Sequence, residues 1–414
     1  MRIGVPKEAA AGEHRVALVP EVVRKLKDKG LDVVVQSGAG SDALLTDDAF
    51  AQAGAKLSGD AAEIWGSDVV VTIAPPDPQQ IRGLGTGSVL VGFLAPLTSP
   101  QTTRALADAQ ATAFAMEAIP RISRAQSMDA LSSQSNVAGY RAALLGAEEI
   151  GRFYPMLMTA AGTIPPAKVL VLGVGVAGLQ AIATAKRLGA RTTGYDVRPE
   201  VAEQVHSLGA QWLDLGLEAS GEGGYARELT AEERAEQQQA LTDAIKGFDV
   251  VNTTAMVPGR PAPKLVTAEA LEGMPPGSVI VDLAGEAGGN CELTEPGRTV
   301  VRHDVKIVAP LNLPASMAEH SSQLFARNVL ALLELFVDDD GALHLDFDDE
   351  IISGACVVRD GEIVNPGAKA AVEASDAPGP AGVTGATADS VEQQREPDGV
   401  LRAPSGASEG GEPA

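Results

Sequence analysis

Residues 168–181 read Lys168-Val-Leu-Val-Leu-Gly173-Val-Gly175-Val-Ala-Gly178-Leu-Gln-Ala181. An aliphatic run, glycines at the spacing G-x-G-x-x-G and a helix-forming continuation predict a strand, a tight turn and the start of a helix. In such a unit Gly173 permits the turn, Gly175 lets a pyrophosphate approach the backbone, and Gly178 lets helix and strand pack closely. The helix N-terminus adds N–H donors and the positive end of its dipole. The glycine pattern alone carries little weight in a chain with 45 glycines. The next predicted strand, 192–195, however, ends at Asp196, eighteen residues beyond Gly178. A carboxylate there accepts both adenosine ribose hydroxyls and repels a 2′-phosphate, which favours NAD. Arg198, two residues on, could instead receive a 2′-phosphate, so NADP stays open at this point. The plainer alternative is a glycine-rich βα turn that holds no ligand.

Outward from this turn, strand-like runs alternate with helical stretches. Before it, Val33-Val34-Val35, Val69-Val70-Val71 and Val89-Leu90-Val91 read as buried strands, with helices over 20–29 and 102–109. After it come strands over 169–172, 192–195, 250–251, 279–281 and 306–308. Strands alternating with helices imply parallel sheets covered on both faces. The expected fold is therefore α/β, with two Rossmann-like doubly wound parallel-sheet domains. A connecting helix over 134–152 joins them, and a helical pattern over 321–337 could lead the chain back to the first. The N-terminal domain is then discontinuous, 1–130 plus 320–367, around a nucleotide-binding domain of 131–319. From about 368 the chain changes in kind: 25 of residues 371–414 are Ala, Gly, Pro or Ser and none is aromatic, so a disordered acidic tail is expected.

Composition removes several function classes. The 414 residues carry 32 Lys and Arg against 55 Asp and Glu, a net charge of −23. Such a chain repels phosphate backbones and anionic lipids, which argues against nucleic acid as a partner. The longest uncharged run, between Lys168 and Lys186, is interrupted by the glycine turn, so no membrane span of its own is expected. No signal-peptide pattern precedes the first strand, and two cysteines, Cys291 and Cys356, fit a reducing compartment. A cytoplasmic location is expected. The five histidines, at 14, 206, 303, 320 and 344, are scattered without metal-ligand spacing, so no metal is expected.

One further segment concentrates polar side chains: Met116-Glu-Ala-Ile-Pro-Arg121-Ile-Ser-Arg-Ala-Gln126-Ser-Met-Asp129-Ala-Leu-Ser132-Ser-Gln-Ser-Asn-Val-Ala-Gly-Tyr140. Arg121, Gln126, Asp129 and Ser132 could project from a loop into a cleft between the domains. Equally, Ser132 or Ser133 could simply cap the following helix while Arg121 pairs with Asp129. Together with Thr159-Ala-Ala-Gly-Thr-Ile-Pro-Pro-Ala, the glycine turn, Gly223-Gly224-Tyr225-Ala226, Thr253-Thr254-Ala255 and Asp282-Leu-Ala-Gly-Glu-Ala-Gly-Gly-Asn-Cys291, this segment resembles the NAD(H)-binding domain I of proton-translocating nicotinamide nucleotide transhydrogenase. The resemblance runs from Ile3 to about Pro366.

The resemblance implies that Arg121, Gln126, Asp129 and Ser132 grip the nicotinamide ring and its ribose, with Ile122, Ser123, Ser127 and Met128 in the same loop. It places Val176 at the pyrophosphate turn and Asp196, Val197 and Arg198 at the adenosine. Gly224 and Gln237 would flank or lie in a mobile loop, over about 216–239, that carries Tyr225 over bound nucleotide. Met256 stands where the family usually has another aliphatic residue. The activity implied is direct hydride transfer between NAD(H) here and NADP(H) on a partner beta subunit, coupled to proton translocation by a membrane subunit. A homodimer, peripheral at the cytoplasmic face of the membrane through its partners, is implied as well.

The nearest competing resemblance is alanine dehydrogenase, which opens with words like Pro6-Lys7-Glu8 and Glu13-His14-Arg15-Val16. Oxidising an amino acid needs a cation for its carboxylate and an acceptor for the amine proton. The lysine of that family falls at Thr72 here and its histidine near Ala95, which leaves Arg15 a structural role. An NAD-dependent amino-acid oxidoreductase and a non-catalytic NAD-sensing module are the alternatives.

Overall fold

Valine-rich runs without polar alternation become strands buried on both faces, because helices cover each side of a parallel sheet. The computed structural model describes residues 1–216, 230–257, 259–338 and 341–376. The first sheet takes β1 (Arg2–Val5), β2 (Asp32–Gln36), β3 (Lys56–Ser58), β4 (Val69–Val71), β5 (Val89–Gly92) and β6 (Thr112–Ala115). A small hairpin follows, β7 (Leu157–Thr159) and β8 (Gly162–Ile164). The second sheet takes β9 (Lys168–Leu172), β10 (Arg191–Tyr195), β11 (Gln211–Trp212), β12 (Val250–Thr253), β13 (Val279–Asp282), β14 (Thr299–Arg302) and β15 (Val305–Val308). The chain then returns to the first sheet with β16 (Cys356–Arg359) and β17 (Glu362–Ile363).

Both sheets are doubly wound about their first strand. The first runs β17-β16-β6-β5-β4-β1-β2-β3 and the second β11-β10-β9-β12-β13-β15-β14. The pairings are parallel except where β16 meets β6 and β17, and where β14 meets β15. In each sheet the winding reverses beside the first strand, at β1/β4 and at β9/β12, and ligands of open α/β sheets bind in the crevice beyond the strand ends there.

The connecting helix is Ala130–Glu149, one turn longer at its start than the sequence suggests. Asp129, rather than Ser132 or Ser133, is its cap: one carboxylate oxygen accepts the Ser132 N–H at 2.8 Å. Its buried face is small, with Ala142, Ala143, Gly139 and Gly146, so it lies close against the second sheet and its first helix. The return helix, Ala318–Leu333, buries Phe325, Val329, Leu332 and Leu333 in one core with Ile3, Val33, Val91 and Phe114 of the first sheet.

Two boundaries differ from the sequence reading. A helix, Pro366–Asp376, runs past residue 367 with Ala368 and Val372 buried, so apolar anchors extend order into the stretch read as tail. Residues 377–414 lie outside the described residues. A second helix, Ala231–Ile245, occupies part of the segment read as a loop, because Thr230 and Glu233 form a reciprocal capping box at its start. Among the described residues, no helix is long and apolar enough to cross a membrane.

Candidate functional site

At the carboxyl end of β9 the three glycines do three different things. Gly173 has φ +89°, and a Cβ there would lie 2.9 Å from both the Ala255 nitrogen and Thr254 Oγ1. Thr254 Oγ1 donates to the Gly173 carbonyl at 2.7 Å, which ties the turn to the end of β12 across the switch point. A Cβ on Gly178 would overlap the Gly173 carbonyl, so only glycine lets the helix Val176–Arg187 start this close to the strand. Gly175, the residue before that helix, faces open space. The first turn of the helix has N–H groups with no intrahelical acceptor. An open glycine face at a helix N-terminus is a cradle that fits a pyrophosphate.

Asp196 closes the next strand and reaches back to this turn. It accepts the Val174 N–H at 2.7 Å, and the Arg198 N–H, Nε and Nη2 at 3.0, 3.0 and 3.1 Å. Burial pushes its carboxyl pKa up, but the Arg198 guanidinium and the two amides outweigh that and hold it below the usual range. The carboxylate is therefore ionised at neutral pH, and Arg198 already has a partner. Val197 between them is exposed.

The polar segment forms a short 3₁₀ helix, Ser123–Met128, anchored by buried Ala125 and Met128, with Ser123, Gln126 and Ser127 exposed and Ile122 half-buried. Asp129 accepts from both the N–H and the hydroxyl of Ser132, the latter at 2.6 Å, so these two candidates sit together as one unit at the helix start. The Arg121–Asp129 pair weighed in the sequence does not form. Arg121 is exposed, and its guanidinium bonds to no other described residue. Arg124, which the sequence reading passed over, makes a two-point ion pair with Asp349, at 2.6 and 2.9 Å. That partner lies 225 residues along the chain and left no local signal.

The connecting helix brings this segment to the glycine turn. A Cβ on its Gly139 would overlap the Ala177 carbonyl, so helix and turn are in backbone contact. Ser132 is seven residues before Gly139, or about 10 Å along the helix axis.

On the far side of the turn, Met256 is exposed just beyond β12. The loop carrying it is framed from below. Asn290, fully buried, donates to the Ala255 carbonyl at 2.8 Å and accepts the Ala255 N–H at 3.1 Å. Asp282 accepts from Thr253 Oγ1, the Ala284 and Cys291 N–H groups and Thr294 Oγ1. Asn290 and Asp282 belong to the motif 282–291, whose sequence reading named no role for them. Gln237 is half-buried on the helix Ala231–Ile245 rather than in a loop. Gly224 and Tyr225 lie outside the described residues.

The equivalent crevice of the first sheet is filled by the chain itself. The Glu8 carboxylate accepts the N–H groups of Ile73 and Ala74, at 2.6 and 3.2 Å, just beyond β4. Glu117 accepts those of Leu94 and Ala95, at 2.9 and 2.6 Å, beyond β5. Burial pushes the Glu8 carboxyl up to about 7 and raises that of Glu117. Thr72 is buried between them in sequence, and Ala95 has φ +51°. Arg15 is held by Glu13 in a buried two-point pair at 2.7 and 2.6 Å, and reaches Gln134 at 2.8 Å and Asn312 at 3.1 Å. Cys291 and Cys356 are buried, and burial pushes their thiols to about 11 and 12. Among the described residues, no group of three His, Cys, Asp or Glu is placed to hold a metal.

Two doubly wound sheets, the second with a phosphate-type glycine turn at its switch point, define a Rossmann-type nucleotide oxidoreductase architecture. Family models agree. The N-terminal domain of alanine dehydrogenase/PNT matches residues 4–138 and its C-terminal domain residues 142–366. An NAD(P) transhydrogenase subunit alpha of Rhodospirillum rubrum is 50% identical over 377 residues, covering 88% of this chain and 98% of that one. The crystal structure of transhydrogenase from Sinorhizobium meliloti superposes with a TM-score of 0.80 at 44% identity, over 88% of this chain and 100% of that chain. An alanine dehydrogenase from Halomonas elongata is 31% identical over 371 residues, covering 88% of this chain and 94% of the relative. The chain belongs to the alanine dehydrogenase/PNT family and, within it, to the NAD(P) transhydrogenase alpha subunits.

Proposed function

We propose that this chain is the NAD(H)-binding subunit of a proton-translocating transhydrogenase and exchanges hydride directly with NADP(H) held on a partner beta subunit. The observation that carries this reading is the contact of Gly139 with the glycine turn. It sets the Gln126–Asp129–Ser132 group about one nicotinamide riboside's reach from the pyrophosphate cradle. When bound, the nicotinamide supplies the hydride. The chain's residues then bind, orient and exclude water rather than move protons. Gly175 and the helix start take the pyrophosphate, and Asp196 takes the adenosine ribose. Arg121, Gln126, Asp129 and Ser132 orient the nicotinamide and its ribose, with Ile122, Ser123, Ser127 and Met128 forming the loop that carries them. Val176, Val197, Arg198, Gln237 and Met256 line the nucleotide, and Gly224 and Tyr225 belong to the loop that covers it.

The filled crevice of the first sheet supports transhydrogenation over amino-acid oxidation. Thr72 and Ala95 supply neither cation nor base, Arg15 is neutralised by Glu13, and Glu8 and Glu117 occupy the amides that a substrate carboxylate would need. Coupling to proton movement falls to a membrane subunit, with this chain peripheral at the cytoplasmic face. A homodimer fits the hairpin β7–β8, which exposes Phe153, Met156, Met158 (73% exposed) and Ile164. A lone two-stranded hairpin is marginal in water, and a second copy would cover it.

The test mixes the purified chain with an NADP(H)-binding transhydrogenase subunit and follows reduction of an NADP analogue by NADH. Transfer that requires both chains, together with no alanine oxidation by this chain and NAD, is the expected result. Alanine turnover without the partner would overturn the reading. Sedimentation checks the dimer, which Met158→Asp should dissociate.

A further inference from the structure

The loop Ser123–Met128 is a single short 3₁₀ segment, a conformation with poor internal hydrogen bonds, so its position depends on what holds it from outside. Asn328, on the return helix Ala318–Leu333, is 8% exposed and grips the loop and the connecting helix together. Its Nδ2 donates to the Ser127 carbonyl at 2.8 Å, and its Oδ1 accepts the Ser133 hydroxyl at 2.7 Å. A carbonyl can only accept, so Ser127 fixes which end of the amide is nitrogen, and Ser133 completes the other.

This grip ends a buried chain of hydrogen bonds. Gln134 Nε2 donates to Ser133 Oγ at 3.3 Å and to the Ser321 carbonyl at 3.1 Å, while Gln134 Oε1 accepts from Arg15. Arg15 is fixed in turn by Glu13 and Asn312. Each side chain of the chain is thus held on two sides, and its far end reaches the loop after β15 in the second sheet.

Resting on the function proposed above, we infer that Asn328 is a positioning residue for hydride transfer: it aims Gln126 and Asp129 by fixing the Ser127 carbonyl between them. It touches no part of the expected nucleotide path, and its helix is anchored in the core of the first sheet. Removing the amide would free the loop to shift without disturbing Gly175 or Asp196, where most of the dinucleotide is bound. Misplacement of a reacting group by about 1 Å can cost on the order of a hundredfold in rate.

The experiment compares Asn328→Ala, Asn328→Asp and Gln126→Asn by three readouts: NADH affinity from calorimetry, fluorescence anisotropy of the bound nicotinamide, and single-turnover transfer to an NADP analogue on the partner subunit. Asn328→Asp keeps the acceptor for Ser133 but sets a carboxylate against the Ser127 carbonyl, so it tests the grip even where the alanine variant folds poorly. Both Asn328 variants are expected to slow transfer at least about tenfold, leave NADH affinity within about threefold, and lower the anisotropy of the bound ring. Combining Asn328→Asp with Gln126→Asn should cost less than the product of the two effects. Normal transfer and anisotropy in the Asn328 variants, with Gln126→Asn slow, would overturn the positioning role and leave the function standing. Normal transfer in Gln126→Asn would overturn both.

Discussion

Gly139 of the connecting helix lies against the carbonyl of Ala177, in the first turn of the helix that opens at Gly175. Through this one contact, the segment carrying Asp129 and Ser132 is tied to the turn expected to hold the pyrophosphate. The two halves of the candidate site therefore cannot be moved independently.

Gly139→Ala tests that contact. Alanine should raise helix stability by up to about 1 kcal/mol, but its Cβ would overlap a backbone oxygen that cannot rotate away. Overpacking of this kind costs about 1–3 kcal/mol, so net destabilisation in urea unfolding and weaker NADH binding are expected. A more stable variant with normal affinity would show that the two helices can separate freely.

Asp196→Ala should weaken NADH by about tenfold or more, since a charge-assisted hydrogen bond contributes about 1.5–3 kcal/mol. NADPH should weaken less, because the same change releases Arg198 from its pair. The Asp196 pKa is held below the ordinary carboxylate range. The affinity that depends on its charge is therefore fully present at neutral pH and is lost only as pH falls through that lowered value. Calorimetry with both nucleotides across the acid range measures this. Equal losses for NADH and NADPH would remove Asp196 from the ribose.

Gln126→Asn and Asp129→Asn should slow hydride transfer far more than they weaken NADH binding. Asparagine at 129 can still cap the connecting helix, so a loss of rate there reports on the site and not on folding. Asp129→Ala should in addition cost about 1 kcal/mol of stability. Unchanged single-turnover rates in both asparagine variants would leave the loop with its capping role alone.

Glu8 predicts a pH dependence of stability. Burial raises its carboxyl to about 7 from an ordinary 4.5. Between those values the folded chain holds a proton that the unfolded chain has released. Stability from this group is complete below about pH 4.5, declines as pH rises to about 7 by up to about 3 kcal/mol, and is flat above. Glu8→Gln should remove that slope, seen as a wild-type-minus-variant difference in unfolding free energy that changes across the window. A difference independent of pH would place the Glu8 titration elsewhere.

Local chemistry was enough for much of this protein. The run 168–181 specifies strand, turn and helix because each glycine answers a different steric demand within a few residues, and Asp196 follows at the distance one βα unit sets. The valine runs specify buried parallel strands for the same kind of reason. Even the return of the chain to the first sheet was readable, from helical periodicity over 321–337. What tertiary structure alone decided lies in contacts between residues far apart in the chain. Arg124 with Asp349, Asn328 with Ser127, Arg15 with Gln134 and Asn312, and Gly139 with Ala177 leave no periodic signal, because nothing in either partner's neighbourhood requires the other. The capping of the connecting helix by Asp129 rather than a serine was decided by which side chain the folded loop brings to the first free N–H groups. Sequence could name the polar residues of the segment 116–140. Only the fold separates those that hold the loop in place from those left exposed on it.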